Sequence, residues 1–310
     1  MKKALLILIG ILISTGFTLY FLHANIRPTQ FTVAPDYGNE PAGDAVETDL
    51  AVNLKWAEAP QETSPKASVL AGQTAAVSNI PADAENGWAL VWEDDFDQKS
   101  IDLEYWTEVG RRDNYNGELQ YYTPDNSYIQ DGCLYLTAKR EDHEGKQYTS
   151  ATVETMDKLS VCLGRVEARI SLPVGKGLFP AFWLLAYSGE SEIDIMEMIG
   201  SEPQIIYGVN HYDLFADARK TFGQTCIDVP GEFHVYAMEW EDGRIRWYVD
   251  DKLYYSTTQG VTSEEMYIIF TLAVGGEWPG DPDSTTVFPN SMAIDYVRVY
   301  EWISCNSQCK

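Results

Sequence analysis

The sequence predicts an all-β chain folded as a two-sheet antiparallel β-sandwich of the jelly-roll kind, and three observations carry that expectation. Aromatic residues make up 13% of the chain, with nineteen Tyr and nine Trp, types that fit a pleated, half-buried surface. From Trp88 to Trp302 short apolar runs and alternating stretches follow one another, with hardly a helical repeat between them. Turn dipeptides such as Asp131-Gly132 and Asp242-Gly243 separate these stretches at short spacing, as hairpin-connected strands require.

The elements follow in order. Lys2 and Lys3 precede nineteen largely apolar residues, Ala4 to Leu22. That is about the roughly 20 residues a bilayer span needs, long for a signal-peptide core, and no clear small-residue cleavage site follows. Residues 1–22 therefore read as an uncleaved signal-anchor or as a signal peptide, and either delivers the rest of the chain outside the cytoplasm, membrane-anchored or secreted. Residues 23–87 hold nine acids against three bases and six of the fourteen prolines, the composition of a disordered linker. The folded domain spans 88–302. In it "YIQDGCLYLTAK" and "FHVYAMEWEDGRIRWYVD" read as hairpins. "GRVEARISLP" puts Val166, Ala168, Ile170 and Leu172 on one face. "MYIIFTLAVGG" reads as a strand buried on both faces, and "MAIDYVRVYEW" as the closing strand. In the tail, 303–310, Cys305 and Cys309 are near enough to bridge each other, and an odd total of five cysteines leaves one unpaired.

The formal net charge of −25 argues against nucleic acid or an anionic surface as partner, because association would begin with repulsion. It disfavours polyanionic substrates for the same reason.

The stretch "SGESEIDIMEMIG", residues 188–200, holds the chemistry. Glu192, Ile193, Asp194 and Ile195 alternate as in a half-buried strand, but the next acid arrives one place late, at Glu197. In a regular strand Glu197 would point with Ile193 and Ile195 into the core. A one-residue β-bulge at Ile195-Met196 returns it to the face of Glu192 and Asp194. Two carboxyl groups brought together on a concave face suit a retaining glycosidase, in which one attacks the sugar and the other protonates the leaving oxygen. A third acid between them helps to separate their pKa values.

"EIDIME" resembles the E-x-D-x-x-E signature of glycoside hydrolase family 16, in the bulged form of its laminarinase-like members. "LVWEDDFD", "NGELQYYTPDN", "GRVEARISLPVGKGLFPAFWLL", "AVGGEWPGDPDSTTVFP" and "IDYVRVYE" are similar to family segments in family order. The resemblance covers residues 88–301 and implies a jelly roll with a concave substrate cleft. It also implies a retaining endo-glycosidase acting on β-1,3 or mixed β-1,3/1,4 glucan through a covalent glycosyl-enzyme. By the resemblance Glu192 is the nucleophile, Glu197 the acid/base and Asp194 their assistant; spacing alone leaves the two glutamates interchangeable. Trp278 matches a sugar-stacking aromatic, His211 a histidine beside the acid/base, and Asn116 a residue that reaches a bound sugar. Asn116 is expected to share a strand face with Glu118 and Gln120. Trp183 is either a sugar platform or ordinary packing. No cofactor for catalysis is implied. A structural Ca²⁺ on Asp95 and Asp295 would suit hard oxygen ligands, and the chain is expected to act as a monomer on a polysaccharide.

Three departures bear on substrate choice. Tyr187 and Ser188 stand where a Trp-Pro is usual, Asn114 and Tyr115 replace a Trp-Gly, and Thr152 replaces a common Arg. Alternatives compatible with the residues are a transglycosylase on the same site, an agar- or carrageenan-type galactan hydrolase, and a non-catalytic glucan-binding protein.

Overall fold

The computed structural model describes residues 87–302. The N-terminal segment 1–22, nearly all of the linker, and the tail with Cys305 and Cys309 lie outside the described residues.

The strands in chain order are β1 (Trp88–Asp94), β2 (Thr107–Glu108), β3 (Gln120–Tyr122), β4 (Ser127–Gln130), β5 (Cys133–Ala138), β6 (Tyr148–Ser150), β7 (Thr152–Glu154), β8 (Ser160–Val161) and β9 (Gly164–Ser171). They continue with β10 (Leu178–Ala186), β11 (Glu192–Glu197), β12 (Ile205–Tyr212), β13 (Arg219–Cys226), β14 (Phe233–Glu241), β15 (Arg244–Val249), β16 (Lys252–Thr257), β17 (Met266–Val274) and β18 (Asn290–Trp302). No α-helix occurs among the described residues, and one 3-10 turn spans Pro124–Asn126.

Two large sheets result. The first runs β16-β15-β14-β9-β18-β5-β4, with β1 also on β18; the second runs β13-β12-β11-β10-β17-β7-β2, with β8 on β17. Neighbours within both pair antiparallel, and β3 and β6 form a separate short parallel pair. This is the sandwich the sequence predicts. Its hairpins turn where the dipeptides placed them: Gln130 pairs with Cys133 around Asp131-Gly132, both at positive φ, and Glu241 pairs with Arg244 around Asp242-Gly243.

Alternation decides which residues enter the core. Val166, Ala168 and Ile170 of β9 are fully buried, and so are Ile268, Phe270 and Leu272 of β17. The intervening Tyr267 and Ile269 of β17 join Leu185 and the half-buried Trp183 in a smaller apolar group. That group lies on the face of the second sheet turned away from the main core, referred to below as the open face. Burying apolar surface at roughly 25 cal/mol per Å² drives the sheets together; the same alternation leaves a second, partly apolar surface outside.

Two local expectations are corrected. Asn116 does not share a strand face with Gln120: it sits in a turn at φ 54°, exposed, and β3 begins only at Gln120. Cysteine usage also differs, since Cys133 and Cys226 are both free while Cys162 is disulfide-bonded. More than one thiol thus stays unpaired.

Candidate active site

β11 lies between β10 and β12, in the middle of the second sheet. On the β10 side Phe182 pairs with Met196 and Trp183 with Asp194, which leaves Ile195 without a partner. On the β12 side Asp194 faces Val209 and Glu197 faces Tyr207, so Ile195 and Met196 together oppose Gly208. Two residues against one is a β-bulge. Ile195 and Met196 are both buried in the main core, whereas Glu192 and Glu197 remain half-buried on the open face. The extra residue lets the strand put two consecutive apolar side chains inward and still return Glu197 to the outside.

A bulge frees a backbone carbonyl, and a buried unpaired one is costly. Here Trp247, fully buried on β15 of the opposite sheet, donates its indole N–H to the Asp194 carbonyl oxygen at 2.8 Å. Gly208 makes room for it: a Cβ there would stand 2.5 Å from Trp247 Cδ1 and 2.6 Å from the Tyr254 hydroxyl. Trp247→Phe keeps an aromatic ring but removes the donor together with part of the indole. It should lower stability by about 1–3 kcal/mol, the usual cost of a buried carbonyl left unpaired. Calorimetric unfolding checks this, and an unchanged Tm would refute the pinning of the bulge by Trp247.

The three acids form one electrostatic unit. Burial first, then the Asp194 charge, pushes Glu192 up to about 8, while His211 pulls it down and Glu197 adds to the rise. Burial raises Asp194, and burial together with the Asp194 charge raises Glu197 well above the usual carboxylate range. Asp194 Oδ2 is buried and accepts no hydrogen bond. His211 Nε2 lies 3.4 Å from it and 3.7 Å from Glu192 Oε1. Burial lowers the His211 pKa, and the neighbouring Glu192 charge opposes that shift. In the cross-strand register His211 stands opposite Glu192, and Glu197 faces Tyr207. That contact makes the two glutamates unlike, a distinction spacing could not supply.

Glu192, Asp194 and His211 are also spaced as metal ligands could be, with one ligand atom from each within 4.8 Å of the others. Asp95 and Asp295 fit a cation less well. Asp295 Oδ2 already holds the Arg169 guanidinium at 2.7 Å, and Asp95 is exposed just after β1.

The remaining site residues divide. Trp183 lies on the open face next to Asp194, its indole N–H donating to Thr271 Oγ1 at 3.2 Å. Trp278 is half-buried, edge-on to Tyr207 at 5.0 Å and to Phe179 at 5.4 Å, which places it at the Glu197 end. Asn116 reaches the same loop through its backbone, accepting from Glu277 N–H at 2.8 Å. Sequence reasoning missed Tyr267, Leu185 and Ile269, which floor the open face beside Glu192. For Tyr267 and Ile269 the signal was present in the both-face burial expected of "MYIIFTLAVGG", read as packing alone.

The profile of "Glycosyl hydrolases family 16" matches residues 114–298. The chain belongs to this family. A second profile, "Beta-glucan synthesis-associated protein SKN1/KRE6/Sbg1", matches residues 31–191 and ends just before Glu192. The family-16 chain is 38% identical over 249 residues to a beta-glucanase of Rhodothermus marinus, covering 70% of this chain and 86% of that protein. It superposes on the endo-beta-1,3-glucanase of Pyrococcus furiosus with a TM-score of 0.64 at 38% identity, over 70% of this chain and 96% of that one. On the laminarinase catalytic domain of Thermotoga maritima the TM-score is 0.65 at 35% identity, over 69% and 98% of the two chains. The expectation of a glycoside hydrolase on a jelly roll is met.

Proposed function

We propose that this family-16 enzyme is a retaining endo-glycosidase that cleaves internal β-1,3 linkages, or mixed β-1,3/1,4 linkages, of glucan by double displacement. The bulge carries the reading, because it holds Glu192 and Glu197 on one open face with Asp194 between them. The glucanases it resembles support the choice of substrate.

The mechanism follows from the asymmetry of the acids. His211 favours the ionised form of Glu192, whereas Glu197 is held far above the carboxylate range. Ionised Glu192 attacks the anomeric carbon as Glu197 gives its proton to the leaving oxygen and the glycosidic bond breaks. Glu197, now a carboxylate, takes a proton from the incoming water, whose oxygen displaces Glu192. The apolar strip of Trp183, Leu185, Tyr267 and Ile269 offers sugar faces a dry surface, and Trp278 offers a stacking edge at the other end. A polymer of this kind meets the enzyme outside the cytoplasm, where the Lys2-Lys3 apolar segment would deliver it.

Reducing ends released from laminarin, lichenan, agarose and carrageenan identify the polymer; the first two should respond. Proton NMR during the first turnovers should then show the β anomer before mutarotation, since two inversions restore configuration. An α anomer as first product would mean an inverting enzyme and overturn the assignment of Glu192 as nucleophile.

A further inference from the structure

The register of the second sheet lays out a row across the open face: Val209, Asp194, Trp183, Ile269, Glu154, Thr107. Asp194 and Trp183 belong to the site described above, and Ile269 continues its apolar floor. Glu154 is the unexpected member. Its neighbour Val153 is fully buried opposite Phe270, so Glu154 points to the open face with Ile269. The carboxylate stands three strand spacings from Asp194, roughly 14 Å at 4.7–4.9 Å per strand. No single sugar ring spans that distance, so whatever meets Glu154 is not the unit being cleaved.

Glu154 is half-buried, and among the described residues no hydrogen bond reaches its carboxylate; burial raises its pKa, with Arg111 drawing it back. A carboxylate taken from water without donors is an unfavourable arrangement that a ligand's hydroxyl groups would relieve. Arg111 offers the complementary half. Its guanidinium rests over the rings of Tyr115 and Tyr122, at 5.3 and 5.2 Å, and only its Nε bonds a side chain, Asn114 Oδ1 at 3.3 Å. The stacking fixes the plane and leaves the two terminal amino groups as donors. Tyr267 lies between this corner and the catalytic one on the open face, and burial, with the charges of both Glu154 and Glu192, raises its pKa.

We propose that Glu154 and Arg111 form a distal sugar subsite, accepting from and donating to the hydroxyl groups of a glucan unit beyond the one being cleaved. The proposal rests on the glycosidase reading above and adds where the chain's hold on a long substrate lies. The charges point to a neutral sugar: Glu118, Glu154 and, beside Glu154, Asp157 outnumber Arg111 and Lys146, so the corner has no net positive charge to hold a sulfate or uronate. Carboxylate and guanidinium together pair with hydroxyls of either polarity, which is the chemistry a carbohydrate presents.

Glu154→Ala and the milder Glu154→Gln test this, with end-labelled β-1,3-gluco-oligosaccharides of three and six units. Losing charged hydrogen bonds worth about 1.5–3 kcal/mol should lower kcat/KM on the hexasaccharide roughly 10-fold or more and leave the trisaccharide unchanged. The preferred cleavage position in the hexasaccharide should also shift, a ratio that does not depend on how much enzyme is folded. Equal losses on both lengths, or an unaltered cleavage pattern in both variants, overturn the subsite. If the wild-type enzyme cuts no glycan, the glycosidase reading fails by itself. Calorimetric titration with the hexasaccharide still decides the subsite, because Glu154→Ala must then weaken binding of six units and not of three.

Discussion

Glu192→Gln and Glu197→Gln should each lower kcat/KM on glucan by 10²–10⁴-fold, the range lost when an acid–base or nucleophilic group is removed. Gln keeps the size and polarity of each side chain, so the fold should persist. The two variants should differ in kind. Glu197→Gln should recover its first step on an aryl glycoside whose leaving group needs no proton, whereas Glu192→Gln should not. Retention of more than about a tenth of wild-type activity by either variant would remove that residue from the mechanism. Stability should move the other way. Below about pH 4.5 Glu192 is protonated whether the chain is folded or unfolded, and above that only the folded form keeps the proton until about 8. The group's contribution is therefore fully present at low pH and is lost as pH rises through about 8. Glu192→Gln should be the more stable protein at pH 8, by a few kcal/mol at most at about 1.4 kcal/mol per pK unit, and the gain should vanish near pH 4. Thermal unfolding at the two pH values reads this directly.

One residue inserted after Met196 should be as damaging as loss of Glu197. The insertion moves Glu197 one step along the alternation and turns its carboxylate towards Ile193 and Ile195, where burial without partners is costly. Activity should fall by at least the 10²–10⁴-fold range of a missing acid/base, with a lower Tm. Deleting Met196 should behave differently. Phe182 would then pair with Ile195 in continuous register, and the acids would alternate on one face without a bulge. That variant loses a core Met, worth about 2–5 kcal/mol if truncated to Ala, yet should keep measurable activity with β-anomer product. An active insertion variant, or a deletion variant that folds but is dead, would show that the face of Glu197 is not what the bulge controls.

The sandwich was legible because alternation and turn chemistry are local. Val166, Ala168 and Ile170 declare their face by spacing, and Asp131-Gly132 declares its hairpin by the positive φ it tolerates. The bulge was legible too, since an acid one place out of step in an otherwise regular strand has few other resolutions. Asn116 was misread for a related reason. "NGELQ" alternates like a strand, but the left-handed turn at Asn116 and Gly117 precedes β3, and a polar run carries no burial pattern to expose the difference.

By itself, then, the sequence determined the all-β class, the strand that carries the acids, the identity of those acids and the step that returns Glu197 to their face. All of these depend on spacing along one strand. Only the tertiary structure decided which glutamate His211 accompanies, that Trp247 from the opposite sheet satisfies the bulge carbonyl, and that Arg169 occupies Asp295. It also brought Glu154 into line with Asp194 through β10 and β17. These pairings join residues far apart in sequence, and their partners are set by sheet order and register. No local pattern encodes that order, because a strand's alternation specifies which face a side chain takes and not which strand lies beside it.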